Sequence, residues 1–265
     1  YVIGTCPYCK ADDQYSDLCE KCGRVPAEIE NPHCSICGQT PVKEKTKHYF
    51  FKLKNFSNKL SQYLESNQNL QKDVKKYVQN WIKEGLIDWD ITRDISWGVP
   101  IPVDDEKGKV FYGWFDNHLA YISSAIKFLN DTGKDGKKFW NESDIYHFIG
   151  KDIVYHHYLF LPAMRLGIGE EYKLPDYIPT RGHLTLQSKK ISKSRNWYIG
   201  LKDFLGIFPA DYLRFYLISI NSYSQDDLNF DWDEFATKIN SELIGNFGNL
   251  VNRVLGFTVK SFNGI

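Results

Sequence analysis

What the chain lacks narrows its class before any motif is read. It has no apolar run of about 18 residues, so no membrane-spanning helix is expected. Its opening, YVIGTCPYC, lacks the layout of a secretory signal. Neither sign of charge is in excess: 33 Lys and Arg stand against 33 Asp and Glu. Net charge therefore gives no argument for a nucleic-acid partner, and any such contact must come from local patches. Methionine is nearly missing, Met164 being the single example, and the chain opens on Tyr1 rather than an initiator Met, so it reads as a fragment or a processed product. No internal repeat or low-complexity tract is present, which excludes a repeat architecture. What remains is ordinary for a soluble globular protein, with 42% hydrophobic and 25% charged residues, and 265 residues suffice for one large domain or two smaller ones.

Cysteine is present in a pattern. Six residues form three pairs, Cys6 with Cys9, Cys19 with Cys22, and Cys34 with Cys37, each with two residues between. At that spacing a tight turn directs two thiolates at one metal, and Gly23 and Gly38 follow their pairs where a residue at ease with positive φ is needed. Four thiolates in a tetrahedron suit zinc, and binding contributes roughly 10–16 kcal/mol of folding free energy in a small module. The other reading is disulfides in a secreted protein, against which the missing signal argues. Zinc held this way is structural, because four thiolates leave no coordination position for water.

Along the chain, residues 1–45 carry too little apolar content for a core of their own and are expected to rely on metal. LQKDVKKYVQNWIKEG places Leu70, Val74, Tyr77, Val78, Trp81 and Ile82 on one helical face, with Gly85 as the stop. Strand and helix then alternate. Strands are expected over 109–114, 145–150 and 177–186, and helices over 118–129 and 153–166, which argues for an α/β fold on a parallel sheet with ligands at the carboxyl ends of strands. Residues 207–265 read as helical. Gly150-Lys151-Asp152 follows a strand and opens a helix, where an anion or ribose hydroxyl is well received, although on its own a simple turn explains three residues more readily. The run Lys190-Ile191-Ser192-Lys193-Ser194 interleaves two cations with two hydroxyls, a set that can wrap a triphosphate; a solvated basic loop is the bland alternative.

These blocks, taken in order, carry a resemblance. KISKS resembles the KMSKS signature of class I aminoacyl-tRNA synthetases, with Ile191 at its second position. Together with IYHFIGKDIVYHHYLFLPA (145–163), WDITRDISWGVPIP (89–102) and GTCPYCKADDQYSDLCEKCGR (4–24), it resembles the methionyl-tRNA synthetase family, nearest its archaeal and eukaryotic branch. The resemblance covers essentially the whole chain. It implies the second half of a class I Rossmann-type catalytic fold with a zinc-knuckle insertion and a C-terminal helical segment. Residues 1–45 would be the knuckle part of the connective insertion and 46–95 its helical remainder. Residues 96–206 would be the second Rossmann half, and 207–265 a stem-contact segment and the start of an anticodon-binding bundle.

The resemblance also implies roles. Cys6, Cys9, Cys19 and Cys22 match the family's zinc knuckle; Cys34 and Cys37 would join through a rearranged pairing, ligands upstream of Tyr1, or His33 or His48. Gly150, Lys151 and Asp152 would contact ATP with Lys190, Ser192, Lys193 and Ser194, and Lys190 and Lys193 would stabilise the leaving pyrophosphate. Arg93, Trp114, Tyr121, Ile153 and His157 would line the methionine pocket, where a thioether packs well on aromatic rings; for Trp114, Tyr121 and His157 an ordinary structural place is the alternative. The implied activity is methionine–tRNA ligation in the cytoplasm, with zinc, with Mg²⁺ on ATP, and with tRNA(Met), ATP and methionine as partners. No HIGH signature occurs in the chain, so the piece alone is expected not to activate an amino acid. Three positions depart from the family: Asn117 and His118 replace an Ala-Pro pair, and His156 replaces a Phe. They leave open a synthetase for another amino acid. A non-catalytic zinc-knuckle protein that binds tRNA or partners is the alternative of a different class.

Overall fold

The computed structural model describes residues 2–16, 19, 26, 28–103, 108–169, 171–193 and 195–264, so Cys22 and Ser194 lie outside the described residues. The chain divides into two units, residues 1–48 and 49–265. In the first, β1 (Val2–Thr5) is flanked by β2 (Gln14–Tyr15) and β3 (Glu30–Cys34), both antiparallel to it. The β1–β3 register shifts between Ile3 and Thr5. Gly4 sits inside this irregularity, where a Cβ would lie 2.4 Å from the Glu30 carbonyl oxygen, so no other residue fits without moving a strand.

The second unit begins with β4 (Phe50–Phe51), a short turn of helix over Leu53–Phe56, α1 (Ser57–Ser66) and α2 (Lys72–Glu84). The expected face of α2 is the buried one: Val74 and Val78 are fully covered, Tyr77, Trp81 and Ile82 pack beside them, and Gly85 ends the helix at φ +103°. β5 (Trp89–Asp90) pairs with β4, and β6 (Thr92–Arg93) with β7 (Val110–Phe111). The strand expected over 109–114 is shorter than the alternation suggested: α3 (Gly113–Asp131) starts at Gly113 and takes Trp114 into its first turn. α4 (Gly136–Glu142) follows, its N-terminus capped by the Asp135 carboxylate, which accepts from the Lys138 amide.

Two strand–helix–strand crossovers then build the parallel part. β8 (Ile149–Gly150) leads through a tight turn (Lys151–Ile153), a wide-turned helical segment (His156–Phe160) and α5 (Leu161–Gly167) to β9 (Thr180–Arg181), parallel to β8. β10 (Leu184–Leu186) pairs antiparallel with β11 (Lys189–Lys190) and, beyond α6 (Leu201–Ile207) and α7 (Ala210–Ile220), parallel with β12 (Leu228–Phe230). The strand expected over 177–186 is thus two strands, broken at Gly182-His183. A Cβ at Gly182 would lie 2.0 Å from the Asp226 carbonyl oxygen, so the chain passes too close to the 226–227 backbone for a side chain there. α8 (Trp232–Lys238), capped by Asp231, continues through wide turns (Ile239–Gly248) into α9 (Asn249–Phe262). Among the described residues no helix is long and apolar enough to cross a membrane.

One core unites α1, α2, the His156–Phe160 segment and α5 around Leu60, Leu64, Val74, Val78, Tyr158 and Leu159. A second gathers Leu186, Phe204, Tyr216, Phe230 and Phe235 under β10 and β12. The Tyr216 hydroxyl, buried there, donates to the Glu234 carboxylate at 3.0 Å and accepts from the Asp231 amide at 3.2 Å, joining α7 to the start of α8.

Candidate active site and metal centre

In the first unit, Cys6 and Cys9 lie on the turn that leaves β1. The Lys10 amide donates to the Cys6 carbonyl at 2.9 Å, and Lys10 itself stands at φ 56°. The turn after β3 repeats this arrangement: the Gly38 amide donates to the Cys34 carbonyl at 2.9 Å, with Gly38 at φ +72°. The ligand atoms of Cys6, Cys9 and Cys19 all lie within 4.8 Å of one another, and the Cys9 and Cys19 sulfurs are 3.6 Å apart. That is far beyond a disulfide bond and close to the roughly 3.8 Å edge of a tetrahedron with Zn–S bonds of about 2.3 Å. The donor set therefore fits zinc. Cys34 and Cys37 form no such group with these three among the described residues. Val2 pairs with Cys34 while Thr5 pairs with Glu30, so the two turns sit at opposite ends of the β1–β3 pair. Backbone and side-chain hydrogen bonds around Cys37 and Ile36 bring the Cys34 thiol down to about 7.

In the second unit the pocket candidates meet on α3 and the segment after β8. The His157 Nδ1–H donates to the Ile153 carbonyl at 3.1 Å, which leaves Nε2 as the acceptor for the Tyr121 hydroxyl at 3.2 Å. Burial keeps His157 below its ordinary value and so neutral, consistent with that tautomer. Tyr121 also meets His147 edge-on at 4.6 Å. The Trp114 ring lies 4.7 Å from His156, and His156 Nδ1 is 3.2 Å from His118 Nε2. Trp89 meets His156 edge-on at 5.7 Å and stacks on Phe160 at 3.8 Å. Arg93 stands one layer further out, 3.9 Å over the Tyr112 ring and ion-paired with Asp90 at 3.1 Å; Tyr112 in turn meets Trp89 at 6.1 Å. Beside the cluster a cavity of about 340 Å³ is lined by Tyr121, Trp140 and His147, among others.

The Gly150-Lys151-Asp152 turn is tied to the chain around β10. Asp152 is 3.2 Å from His183 Nε2, and Lys151 pairs with Asp227 at 2.8 Å. Asp227 also accepts the His183 amide at 2.7 Å and is held below the usual carboxylate range by these two donors, Lys151 foremost. At Gly150 a Cβ would meet the Asp152 carboxylate at 2.5 Å, so glycine lets that carboxylate fold back over the turn.

From His183 the chain runs up β10 into a two-residue hairpin, Gln187 and Ser188, both at positive φ. The basic loop forms a second tight turn, in which the Ser192 and Trp197 amides donate to each other's carbonyls at 2.9 Å. Trp197 Nε1–H bonds the Leu186 carbonyl at 3.0 Å and anchors the loop to β10. Lys190 and Lys193 are exposed, and among the described residues neither makes an ion pair. Ile191 is partly exposed and lines the rim of an apolar hollow with Leu184, Leu186 and Phe204.

The structure thus joins Trp114, Tyr121, Ile153 and His157 in one cluster, with Arg93 outside it through Tyr112, and Asp152 beside the base of β10. Sequence reading missed Trp89, His183 and Asp227. Trp89 was visible inside the WDITRD block, whereas Asp227 sits in a polar loop with no local signal.

The family described as tRNA synthetases class I (M) matches residues 1–255. The chain belongs to that family. Among curated relatives, the methionine–tRNA ligases of Methanopyrus kandleri and Methanocaldococcus jannaschii are 46% and 45% identical over the whole chain, which spans 40% of each. Among solved structures, Mycobacterium tuberculosis methionyl-tRNA synthetase in complex with methionyl-adenylate aligns at a TM-score of 0.70 and 27% identity, over 88% of this chain and 45% of that one. The two parallel crossovers are accordingly part of a class I synthetase fold, and the chain represents less than half the length of such proteins.

Proposed function

We propose that the chain is the zinc-knuckle insertion, the second Rossmann half and the first bundle helices of a cytoplasmic methionine–tRNA ligase. The whole enzyme would activate methionine with ATP and transfer it to tRNA(Met). The observation that carries this reading is a continuous strip of contacts. It runs from Tyr121 through His157 and Ile153 to Asp152 and His183, and along β10 to the basic loop. An aromatic pocket and a cationic loop are thereby linked through a turn suited to ribose and phosphate.

The methionine carboxylate would attack the α-phosphorus of ATP in line, forming the acyl-phosphate bond as the bond to pyrophosphate breaks. The 3′-terminal adenosine hydroxyl of the tRNA would then attack the carbonyl and release AMP. Positioning and charge stabilisation supply the rate, and no covalent enzyme intermediate is needed. Lys190 and Lys193 neutralise charge gathering on the leaving pyrophosphate, with Ser192 and Ser194 holding the loop, and ATP carries Mg²⁺. Gly150, Lys151 and Asp152 receive the nucleotide. Trp114, Tyr121, Ile153 and His157, backed by Arg93, form the methionine side. Cys6, Cys9, Cys19 and Cys22 hold a structural zinc, while Cys34 and Cys37 belong to a separate centre completed by other ligands.

Amino-acid-dependent ATP–pyrophosphate exchange on the full-length gene product tests the reading against methionine, isoleucine, leucine, valine and cysteine. Exchange with methionine alone is expected. Exchange with another of the five would reassign the substrate, and none with any would favour a non-catalytic tRNA- or partner-binding role.

A further inference from the structure

Two histidines beside the aromatic cluster, His118 and His156, touch each other. His118, on α3, is 1% exposed, and its Nε2 lies 3.2 Å from Nδ1 of His156, 38 residues along the chain. The His156 ring is half-buried and lies among aromatic rings: Trp114 at 4.7 Å, Trp89 at 5.7 Å and Phe160 at 5.4 Å. His118 in turn meets His157 edge-on at 5.3 Å, the residue that accepts from Tyr121. Burial, reinforced by neighbouring imidazoles, brings His118 down to about 3 and His156 down to about 4. Both rings are therefore neutral near neutral pH; the neighbouring His147, His157 and Arg165 favour that state, and Asp152 opposes it at His156. The contact is then a donor–acceptor bond between neutral imidazoles rather than a clash of like charges.

We propose that His118 and His156 act as one hydrogen-bonded unit that fixes the Trp114 ring, and with it the wall of the amino-acid pocket. Each ring absorbs the other's polar edge, so two polar residues stand in an aromatic wall that still suits an apolar side chain such as a thioether. A lone histidine at either position would leave a buried nitrogen without a partner beside the pocket. Both are positioning residues, since they act through Trp114 and His157. The proposal rests on the methionine-pocket reading for its substrate, but the pairing itself does not.

The test uses the full-length gene product with His118→Leu, His156→Phe, the double variant and His118→Gln. For each, KM for methionine and kcat are measured by ATP–pyrophosphate exchange, and Tm by thermal unfolding. Each single apolar variant should raise KM about tenfold, as expected when a buried polar group loses its partner, with kcat much less affected. The double variant should have a KM well below the product of the two single effects. His118→Gln can present an amide nitrogen where Nε2 stood and should keep KM near the wild-type value, whereas a residue that merely fills space would be replaced equally well by Leu. Multiplicative single effects, or Leu matching Gln, would overturn the proposal. If the wild-type enzyme exchanges no methionine, the functional reading fails separately. The pair is then judged by Tm: non-additive shifts support it, and additive shifts overturn it.

Discussion

Gly182→Ala puts the close approach between β10 and β12 to the test. A Cβ at 182 would lie 2.0 Å from the Asp226 carbonyl oxygen, 2.4 Å from its carbon and 2.8 Å from the Asp227 nitrogen, whereas real Cβ contacts essentially never fall under 3.0 Å. The 226–227 backbone must therefore withdraw by about 1 Å, the difference between 3.0 and 2.0 Å. That backbone carries Asp227, which accepts the His183 amide at 2.7 Å and Lys151 at 2.8 Å. A hydrogen bond to a charged group contributes about 1.5–3 kcal/mol, and the half-exposed ion pair at most about 1 kcal/mol. A loss of about 2–4 kcal/mol is expected, in line with overpacking at other tight sites. In a full-length protein more than twice this size, where each kcal/mol shifts Tm by less than the roughly 2–4 °C of a chain of about 150–250 residues, Tm should fall by a few °C. Gly206→Ala is the control. It makes the same chemical change inside α6, with nothing within 4 Å of the new Cβ, and should stabilise by about 0.5–1 kcal/mol. Thermal unfolding of the full-length protein reads both. Equal, small shifts for the two variants would refute the reasoning from contact distance.

Acidification should destabilise the fold. His118 and His147 are brought down to about 3 and His156 to about 4, chiefly by burial, against 6.5 for an unperturbed ring. Below 6.5 the unfolded chain takes up protons that the folded one refuses. Stability is thus complete above that pH and is lost on the way down towards 4, by up to about 1.4 kcal/mol per pH unit for each group. Urea midpoints at pH 7, 6 and 5 check this, and a flat profile, or one that His147→Phe leaves equally steep, contradicts it. Removing zinc with a chelator should collapse amide protection around Cys6, Cys9 and Cys19 while that of α2 and α5 persists. Hydrogen exchange reads the difference, and uniform loss or uniform retention would speak against a metal-dependent first unit. Lys193→Ala should lower kcat for ATP–pyrophosphate exchange far more than it raises the methionine KM. An unchanged kcat would remove that lysine from the chemistry.

The sequence was most readable where chemistry is local. Cysteine spacing is a property of a single turn, and Cys6 and Cys9 sit on that turn. The face of α2 follows from a helical period, and Val74 and Val78 are buried accordingly. The boundary at Gly113 was not readable, because VFYGW alternates like a strand while its last two residues begin a helix whose packing is set by Trp89 and His156. The break at Gly182 was hidden for a similar reason: the backbone that forbids a side chain there is that of Asp226, 44 residues away. His118 and His156 each stood out in the sequence as polar residues expected beside the pocket, but their pairing depends on α3 lying against the helical segment after β8. Lys151 was a legible candidate, whereas its partner Asp227 is set by the return of β12 to β10.

The composition of the core around α2 bears on synthesis of the chain. Leu60, Leu64, Val74 and Val78 share their core with Leu53, Leu70 and Leu86 and with residues from Ile149 to Ile178, so the second part of that core is missing until at least 71 further residues, 149 minus 78, have been made. At roughly 5–20 residues per second, that apolar face waits about 4–14 s before it can be fully buried. During that interval α1 and α2 can pack only on each other and on neighbours such as Leu53 and Leu86, so part of their apolar face stays open to water.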